Sequence, residues 1–417
     1  MILNSISSYW IKFKKWGIKG IITFITSKLY ERQKIKAILS LAPKPYPKPI
    51  RGFTLIGKFQ NSNSLSKVMR DFAVALHDIG IPFQTIDLSA SEMPIPPTEY
   101  SDILTLPDEV HLYKFTHIIG MEDFKIPIRT NIKYSRLFFW EFDSGFTEAF
   151  PSLFSYRQIV GMSDFNYEIF ARAFPKNIAV KKILYPFRFN IPMLESPSFI
   201  RSKYNLNAND FIVFFNFDFA SCPERKNPIG AVKAFAQAFR NIPDAKLVFK
   251  TMNAELFPNE LQYLYKTAQD ENIKDRFITI NDYIPISELY SLTNTCDVYI
   301  SLHRGEGFGL GIAEAMSLGK AVVVTDYSSS TEFCNDHNAI LVPYIKSPIP
   351  KSGINHPNYL FVKEWADPNI EAAANGLKLL YEDPTLRKKL GDSARDFINN
   401  HFSQENFKKS VNEFLDS

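Results

Sequence analysis

The chain has 417 residues, 45% hydrophobic and 22% charged, which is the composition of a globular protein with about two or three domains. Its net charge of +4 is uneven: residues 1–51 carry eleven basic residues and one acid, so the other 366 residues sum to −6. A body without excess basic charge argues against a nucleic-acid partner. Three scattered cysteines exclude a disulfide framework and fit a reducing, cytoplasmic compartment. No apolar run is long enough to predict a membrane-spanning helix.

The N-terminal segment, residues 1–50, is basic and amphipathic and ends in a proline-rich spacer. Over residues 1–41, apolar side chains recur at helical spacing and lysines gather on the other side. This pattern predicts either a helix that rests on an anionic membrane surface, or a helix packed on the body or a frayed terminus. The spacer, Pro43–Pro49, predicts an extended linker and a domain boundary.

A first α/β domain is predicted over residues 51–190. Apolar runs and turn residues predict a strand, a loop, a helix and a second strand, and then two further strands and an interdomain crossing. In chain order these are Gly52–Gly57, Gln60–Ser66, Val68–Ile79, Pro82–Leu88, His117–Gly120, Arg136–Trp140 and Lys181–Pro186.

A second α/β domain is predicted over residues 191–385, where strands and helices alternate regularly. The strands are Phe211–Phe217, Lys246–Lys250, Phe277–Ile280, Cys296–Ser301 and Ala321–Thr325, and the helices between the first four are Pro228–Phe239, Glu260–Glu271 and Ile286–Thr293. Such alternation predicts a doubly wound parallel sheet that binds ligands at the carboxyl ends of its strands. The helices of residues 386–417 are expected to pack back toward the N-terminal domain.

Two carboxylates, Glu306 and Glu314, flank a glycine-rich turn that opens a helix between two buried strands. Glycines let the backbone approach a ligand and direct free N–H groups at it. One acid in the loop and one on the helix suit an elongated ligand with hydroxyls at both ends and phosphate between them, such as a nucleotide-sugar. The alternative is a pair of helix N-terminal acids stabilised by the helix dipole.

The whole segment resembles the nucleotide-sugar-dependent retaining glycosyltransferases of the GT-B fold that carry a Glu-x7-Glu motif, the family 4-like group. The resemblance implies two Rossmann-like domains facing across a cleft. It also implies that Glu306 contacts hydroxyls of the donor sugar and that Glu314 hydrogen-bonds the nucleotide ribose. The backbone N–H groups of Gly307, Phe308 and Gly309 would face the sugar or phosphate.

A bacterial subgroup of the same family carries Ser-Leu-His-Arg-x-Glu-Gly-Phe-Gly-Leu, which the chain has at residues 301–310. Within this motif, Leu310 is expected at the donor site. His303 is expected either to hydrogen-bond the donor or to orient the turn. Residues 326–333 follow a strand end and are expected to line the nucleobase or sugar side of the cleft.

A loop after the first strand of the second domain carries Arg225 and Lys226, two adjacent cations that neutralise a leaving diphosphate without a metal. The alternative is a solvated basic pair. In the family that the segment resembles, an Arg and a Lys clamp the diphosphate; many relatives place that Arg five residues before the Lys, where this chain has Ser221. No Asp-x-Asp occurs and no histidines have metal-ligand spacing, so we expect no metal and no cofactor.

In the first domain, Ser64–Arg70 resembles the family's loop that closes over the diphosphate, but only Arg70 of its usual Gly-x-Gly-Glu-x-x-Arg survives, with Ser64 at the first position. Trp140 and Glu141 resemble a Trp-Glu segment of the bacterial subgroup and are expected to lie where an acceptor binds. The alternative for these two residues is an aromatic core with a satisfied carboxylate.

The resemblance implies a retaining, metal-independent hexosyltransferase that uses a nucleotide-diphospho-sugar. The basic N-terminus suggests a saccharide or lipid-linked saccharide acceptor in cell-surface glycan assembly, lipopolysaccharide or capsule, and an enzyme that is cytoplasmic or peripheral at the inner face of the cytoplasmic membrane. The alternatives are a GT-B epimerase or phosphorylase, or a non-catalytic GT-B scaffold. A nicotinamide dehydrogenase is disfavoured because the first domain lacks Gly-x-Gly-x-x-Gly.

Overall fold

The computed structural model describes residues 26, 29–38, 48–61, 63–89, 104–105, 110–122, 129–186, 192–350 and 356–417. Most of the predicted membrane-binding segment therefore lies outside the described residues. Its described part includes a helix, α1, over residues 29–38. This helix packs on the first domain, because Ile35 and Ile38 are buried and Glu31 pairs with Lys58 at 2.9 Å.

The first domain is built on a six-stranded, wholly parallel sheet in the order β2-β1-β3-β4-β5-β6. Its strands are β1 (Ile50–Gly57), β2 (Phe83–Asp87), β3 (Phe115–Gly120), β4 (Lys133–Leu137), β5 (Gln158–Gly161) and β6 (Ala179–Lys182). The helices are α2 (Ser64–Asp78), α3 (Phe146–Ala149) and α4 (Asp164–Ala173).

The second domain has another six-stranded parallel sheet, in the order β12-β11-β10-β7-β8-β9. Its strands are β7 (Phe211–Asp218), β8 (Ala245–Met252), β9 (Phe277–Ile280), β10 (Val298–Ser301), β11 (Ala321–Thr325) and β12 (Ile340–Val342). Read from the β9 edge of the sheet to the β12 edge, this is the strand order of a dinucleotide-binding Rossmann sheet. The predicted α/β class with two doubly wound domains is confirmed.

Helices cover both faces of this second sheet, as burial of its strands on both sides requires. They are α5 (Pro197–Lys203), α6 (Pro223–Lys226), α7 (Pro228–Ala238), α8 (Pro258–Asp270), α9 (Ile286–Thr295), α10 (Leu310–Ser317), α11 (Ile370–Glu382) and α12 (Pro384–His401). An antiparallel pair, β13 (Tyr344–Pro348) and β14 (Glu364–Pro368), forms a hairpin between β12 and α11, which we call the hairpin segment (residues 344–368).

The structure departs from the predicted elements mainly in the first domain. Strand β4 ends at Leu137, so residues 138–140, predicted as strand, lie beyond it. These residues are aromatic and buried or half-buried like strand residues, and Phe138 still donates a backbone hydrogen bond to Val160. The rings of Phe138 and Trp140 join an aromatic cluster. Strand β5 and helix α4 were not predicted, and the predicted crossing at 181–186 begins with the last residues of β6.

The last two helices pack on different domains. Helix α12 packs against β11 and α10, so closely that a Cβ on Gly391 would lie 2.1 Å from the carbonyl oxygen of Gly319. Helix α13 (Gln404–Asp416) lies on the first sheet, where the Phe414 ring stacks on Phe53 with centroids 6.0 Å apart. The chain therefore crosses between the domains a second time near its C-terminus.

The two sheets direct the carboxyl ends of several strands toward each other. The Tyr185 ring, after β6, stacks on Phe308, after β10, with centroids 4.1 Å apart. Lys182 at the end of β6 pairs with Glu332 at 2.8 Å. These contacts place the glycine-rich segment of the second domain against the first. Of the helices in the described part of the chain, none has the length and apolar character needed to cross a membrane.

Candidate active site

Two turns follow the neighbouring strands β7 and β10, where the strand order of the second sheet reverses. We call residues 219–227, after β7, the cation turn, and residues 302–309, after β10, the glycine turn. The reversal leaves a crevice at the carboxyl ends of these two strands, which is the usual ligand position in such sheets. Both predicted groups of donor-site residues therefore lie at this crevice.

The cation turn holds an irregular shape through side-chain hydrogen bonds. Asp218 accepts from the N–H of Ala220 at 2.8 Å. Cys222 and Asn227 have positive φ angles of 68° and 56°, and asparagine tolerates this conformation better than most residues. The Asn227 amide donates to the carbonyl oxygen of Leu302 at 2.9 Å, which ties the cation turn to the end of β10.

Lys226 and Glu306 bring the two turns together. The Lys226 Nζ donates to Glu306 Oε1 at 2.5 Å, and the lysine side chain keeps 18% of its surface exposed. Burial lowers the pKa of Lys226, and the Glu306 carboxylate only partly offsets this. Lys226 thus presents a positive charge at the crevice beside the predicted sugar-binding carboxylate.

Arg225, predicted together with Lys226 to clamp a diphosphate, makes close contacts within the protein. Its side chain is only 5% exposed, and its terminal nitrogens already donate to the carbonyl oxygens of Gly305 at 2.7 Å and Ser221 at 3.0 Å. A further nitrogen contact reaches Glu306 Oε2 at 3.4 Å. The guanidinium therefore holds the glycine turn in place, and Lys226 is the more accessible of the two cations.

Glu306 is ionised and held on three sides. Its N–H donates to Ser328 Oγ at 2.8 Å, and Ser328 itself has a φ of 67°. Burial favours the neutral acid, but the charges of Lys226 and Arg225 outweigh burial and lower the pKa of Glu306 to about 2. The carboxylate stays charged, with Oε1 bonded to Lys226 and Oε2 at 3.4 Å from Arg225. Ser328 belongs to the segment predicted to line the cleft, although no sequence signal assigned this contact.

Two glycines of the glycine turn make room for the first domain. A Cβ on Gly305 would lie 2.4 Å from the carbonyl oxygen of Glu141, and one on Gly307 would lie 3.1 Å from Phe139 Cβ. The predicted reason for these glycines was close approach to a ligand. The structure shows close approach to the first domain, to a backbone carbonyl at Gly305 and to a side chain at Gly307. Gly309, with a φ of +98°, is the residue whose left-handed conformation itself requires glycine.

Three further residues predicted at the donor site, His303, Phe308 and Leu310, differ in their surroundings. His303 is buried and bridges Ser301 Oγ, at 3.1 Å from Nδ1, and the Tyr327 carbonyl, at 3.0 Å from Nε2. This is the turn-orienting alternative. Phe308 is buried under Tyr185, and Leu310 is the half-buried first residue of α10.

Glu314 lies on α10 and faces the first domain. Tyr290 donates to its Oε1 at 3.3 Å. Burial raises the pKa of Glu314, and the nearby charges of Lys67 and Asp71 on α2 oppose each other there. Lys67 and Asp71, which pair at 2.6 Å, are neighbours of the predicted ribose position that the sequence did not identify.

The predicted cleft residues of the first domain are mostly structural. Ser64 is the exposed first residue of α2, which Asn63 caps through the N–H of Ser66. Arg70 is buried and donates to the carbonyl oxygens of Phe59 at 2.6 Å and Asn61 at 2.8 Å, so it orders the loop before the helix.

Trp140 is also not a cleft residue. It is buried in an aromatic cluster with Phe138, Phe142 and Phe146, and its indole N–H donates to the carbonyl oxygen of Ser144 at 2.9 Å. This packing is that of the core alternative for Trp140, with the one polar atom of the ring satisfied within the domain.

Glu141, in contrast, reaches the second domain. Its Oε1 lies 3.8 Å from Arg225 Nη2, and its carboxylate accepts a hydrogen bond from Tyr359. Burial raises the pKa of Glu141, which the Arg225 charge opposes. Tyr359 comes from the hairpin segment and also contacts the rings of Trp140 and Phe142, with centroids 5.4 and 5.2 Å apart. Tyr359 was not predicted from the sequence.

The hairpin segment is anchored at its base to the two turns. Arg304 of the glycine turn donates to Asp367 at 2.8 Å, and its guanidinium lies 4.2 Å from the Trp365 ring centroid. The same arginine donates to the carbonyl oxygen of Glu224 in the cation turn at 2.7 Å. The hairpin segment thus contacts Arg304 at its base and Glu141 through Tyr359. Both of these partners lie beside Arg225.

No group of three or more His, Cys, Asp or Glu side chains with a metal-binding arrangement occurs in the described ranges. The charged side chains at this crevice are those of Lys226, Glu306 and Glu314, with Arg225 and Glu141 next to them. An ammonium, a nearby carboxylate and a second carboxylate on the following helix suit a ligand with phosphate and hydroxyl groups.

Sequence comparison assigns a family to the part of the chain that holds both turns. Residues 198–347 match the family model described as glycosyl transferases group 1. This segment is a group 1 glycosyl transferase domain. The uncharacterized glycosyltransferase MJ1069 of Methanocaldococcus jannaschii is 27% identical over 160 residues, 38% of this chain. The match spans about a third (34%) of that protein's length.

Several solved structures share the fold over most of the chain. A glycosyltransferase from Rickettsia africae superposes with a TM-score of 0.61 at 15% identity, covering 88% of this chain and 98% of the other. Sucrose-phosphate synthase from Thermosynechococcus elongatus gives 0.59 at 16% identity, with the same coverage of both chains. HepE from Anabaena in complex with UDP-glucose gives 0.59 at 14% identity, covering 88% and 100%. The fold is therefore the GT-B fold.

Proposed function

We propose that the protein is a retaining, metal-independent glycosyltransferase that moves a hexosyl unit from a nucleotide-diphospho-sugar to a saccharide or lipid-linked saccharide acceptor. The observation that carries the proposal is the contact between Lys226 and Glu306 at the switch point of the second sheet. A cation for a diphosphate and a carboxylate for sugar hydroxyls stand side by side there. The group 1 family match covers both residues.

The reaction breaks the bond between the anomeric carbon and the diphosphate oxygen, and forms a bond from that carbon to an acceptor hydroxyl oxygen. Lys226 stabilises the negative charge that develops on the departing diphosphate. Glu306 holds the sugar so that the acceptor hydroxyl approaches on the face that the diphosphate leaves, and a phosphate oxygen of the donor takes the acceptor proton. Rate enhancement then comes from positioning and electrostatics.

Arg225 contributes to this reaction by positioning Glu306. Its hydrogen bond to the Gly305 carbonyl and its proximity to both Glu141 and Glu306 fix the turn that carries the sugar-binding carboxylate. Glu141 approaches this turn from the first domain, so the proposed acceptor side and donor side meet at one arginine. Domain closure over the crevice would exclude water and suppress hydrolysis of the donor.

The donor class is supported by a relative with the same fold, since HepE from Anabaena was crystallised with UDP and with UDP-glucose. We propose a nucleotide-sugar donor for this chain and a role in cell-surface glycan assembly, such as lipopolysaccharide or capsule. The proposed contact with the inner face of the cytoplasmic membrane depends on the basic residues 1–41. Co-sedimentation with anionic liposomes tests it, because a chain that begins at Arg51 should bind less than the full chain.

Turnover assays with a panel of nucleotide-sugars and saccharide acceptors test the main proposal. We expect one donor to be consumed in an acceptor-dependent way, with the anomeric configuration retained in the product by NMR and with unchanged rate in EDTA. Product formation without acceptor would instead support an epimerase. Inversion of the anomeric carbon would contradict the retaining mechanism, and nucleotide binding without turnover of any donor would favour a non-catalytic scaffold.

A further inference from the structure

Lys250 is a buried lysine that the proposed chemistry does not use. It lies near the carboxyl end of β8 and is 4% exposed. No carboxylate of the described residues lies within ion-pair distance of its ammonium, and none of their acceptors hydrogen-bonds it. The Nζ atom is not among the buried side-chain atoms that lack a partner, so the ammonium itself keeps contact with solvent while the rest of the side chain is buried. A largely buried lysine whose charge is unpaired in the protein and open to solvent can bind an acceptor from a ligand.

The two acids whose charges act on Lys250, Asp218 and Asp282, do not pair with it. Asp218 already accepts hydrogen bonds from the N–H of Ala220 at 2.8 Å and from the Asn253 amide at 2.7 Å. Asp282 is exposed on the loop after β9. Burial lowers the pKa of Lys250, and these two carboxylates oppose that effect only from beyond ion-pair distance.

The position of Lys250 relates it to the proposed donor site. It is the register partner of Asn216 on β7, and register partners in a parallel sheet point to the same face. Asn216 accepts from the Tyr299 hydroxyl at 2.6 Å and would lie 2.8 Å from a Cβ on Gly311. Gly311 is in the first turn of α10, the helix that carries Glu314. Lys250 therefore lies on the strand next to β7, on the same face of the sheet as Asn216, which packs against the start of α10.

The order of the strands gives this ammonium a place along an elongated ligand. The glycine turn follows β10, the cation turn follows β7, and Lys250 stands on β8, the next strand outward. A donor with its sugar at the first turn and its diphosphate at the second continues toward β8 with its nucleoside. The ribose hydroxyls suit the carboxylate of Glu314, which accepts hydrogen bonds. The ammonium of Lys250 can only donate hydrogen bonds, so the group that it binds on the base must be an acceptor oxygen.

We propose that Lys250 binds a keto oxygen of the donor's nucleobase, and that the protein therefore selects a nucleotide with such an oxygen, as in uracil, thymine or guanine, over adenine. The inference rests on the proposed function, since it assumes a nucleotide-sugar in this crevice. Adenine presents an amino group in place of the keto oxygen and would set two donors against each other. The bound base would supply an acceptor in place of water to an ammonium that has none within the described protein.

Isothermal titration calorimetry with UDP, GDP, ADP and pyrophosphate tests the inference on the full chain. Lys250→Met keeps the length and burial of the side chain, and Lys246→Met changes a lysine four residues earlier on the same strand as the control. We expect the wild type and Lys246→Met to prefer UDP or GDP to ADP. Lys250→Met should bind the preferred nucleotide about ten- to a hundredfold more weakly, the effect of losing a charge-assisted hydrogen bond, and should bind pyrophosphate unchanged.

The thermal midpoint separates a binding role from a structural one. Because Lys250 has no partner in the free protein, Lys250→Met should keep or raise the melting temperature without ligand, and Lys250→Gln provides a second variant that retains a neutral donor. A lower melting temperature with unchanged nucleotide affinity would overturn the inference, as would equal weakening of pyrophosphate or a preference for ADP. A wild type that binds no nucleotide would instead refute the proposed function itself.

Discussion

Lys226 Nζ and Glu306 Oε1 lie 2.5 Å apart although 80 positions separate the two residues in the chain. They meet because β7 and β10 are hydrogen-bonded neighbours in the second sheet and both turns leave at the carboxyl edge. In the free protein each charge neutralises the other. A diphosphate-linked sugar would place a phosphate at the lysine and hydroxyl groups at the carboxylate. Both side chains could therefore bind the ligand in addition to each other.

Replacement of Lys226 by methionine should remove most of the activity. The lysine is the accessible cation of the site, and loss of one group that stabilises developing charge lowers turnover by about 10²- to 10³-fold. Steady-state kinetics with the preferred donor would show the loss mainly in kcat. Lys233→Met, at an exposed position of α7, is the matched control and should retain wild-type rates. Near-full activity of Lys226→Met would mean that the diphosphate binds elsewhere.

The ionised state of Glu306 should appear in the pH dependence of stability. Its pKa is lowered from 4.5 to about 2 by Lys226 and Arg225. A carboxyl with a lowered folded-state pKa contributes stability fully above pH 4.5 and loses that contribution as the pH falls toward 2. The shift corresponds to on the order of 3 kcal/mol.

Urea unfolding of the wild type and of Glu306→Gln at several pH values measures this contribution. The wild type should be the more stable protein at pH 7, and the difference in unfolding free energy should shrink steadily below pH 4.5. Glu260→Gln, at a surface position of α8, is the control and should show no such convergence. A difference that is constant with pH would show that Glu306 is not held ionised by the two cations.

The sequence predicted the second domain well because its signals are local. Long apolar strands such as β7 and β11, and a glycine turn between β10 and α10, follow from residue types at short spacing. The first domain was harder. Phe138 and Trp140 have the composition of strand residues, and only tertiary packing shows that they fill an aromatic cluster after β4 has ended.

The candidate site was predicted in its composition but not in its connections. Lys226 and Glu306 were expected at one ligand, and the structure brings them into contact. Lys226 was the safer assignment in the sequence, and Arg225 stood in for the family's arginine at the position of Ser221. Whether an arginine contacts a ligand or a carbonyl oxygen depends on long-range geometry, so the sequence could not show the contacts of Arg225. Tyr359 was not predicted, because its partner Glu141 is on the other domain and nothing local relates the two.

Tyr359→Phe should test the contact between the hairpin segment and the first domain. The substitution keeps the ring that packs on Trp140 and Phe142 and removes only the hydroxyl that donates to Glu141. A lost hydrogen bond to a buried carboxylate should lower the unfolding free energy by about 1.5–3 kcal/mol. Because Glu141 also faces Arg225, activity should fall as well, with kcat more affected than the KM for the donor.

Tyr344→Phe is the matched control within the same hairpin. Tyr344 lies on β13 and its ring contacts Tyr327, with centroids 5.1 Å apart, away from Glu141. Its loss of a hydroxyl should change stability by less than about 0.5 kcal/mol. If both variants behaved alike in urea unfolding and in kinetics, the hydrogen bond between Tyr359 and Glu141 would have no special role.

Gly305→Ala should separate a backbone requirement from a ligand requirement in the glycine turn. The added Cβ would lie 2.4 Å from the carbonyl oxygen of Glu141, so the first domain and the turn must move apart. Because a displacement of about 1 Å at a reacting centre lowers rates by about 10²-fold, kcat should fall to that extent. Small-angle X-ray scattering should show a larger radius of gyration, since the domain contact is pushed open.

Gly80→Ala is the control for Gly305→Ala. The φ of Gly80 is +72°, so an alanine there strains the backbone, but its Cβ would meet nothing within 4 Å. That variant should lose about 1–2 kcal/mol of stability and keep both the domain spacing and the rate. A compact and active Gly305→Ala protein would show that the close approach of the two domains at this turn is not required for function.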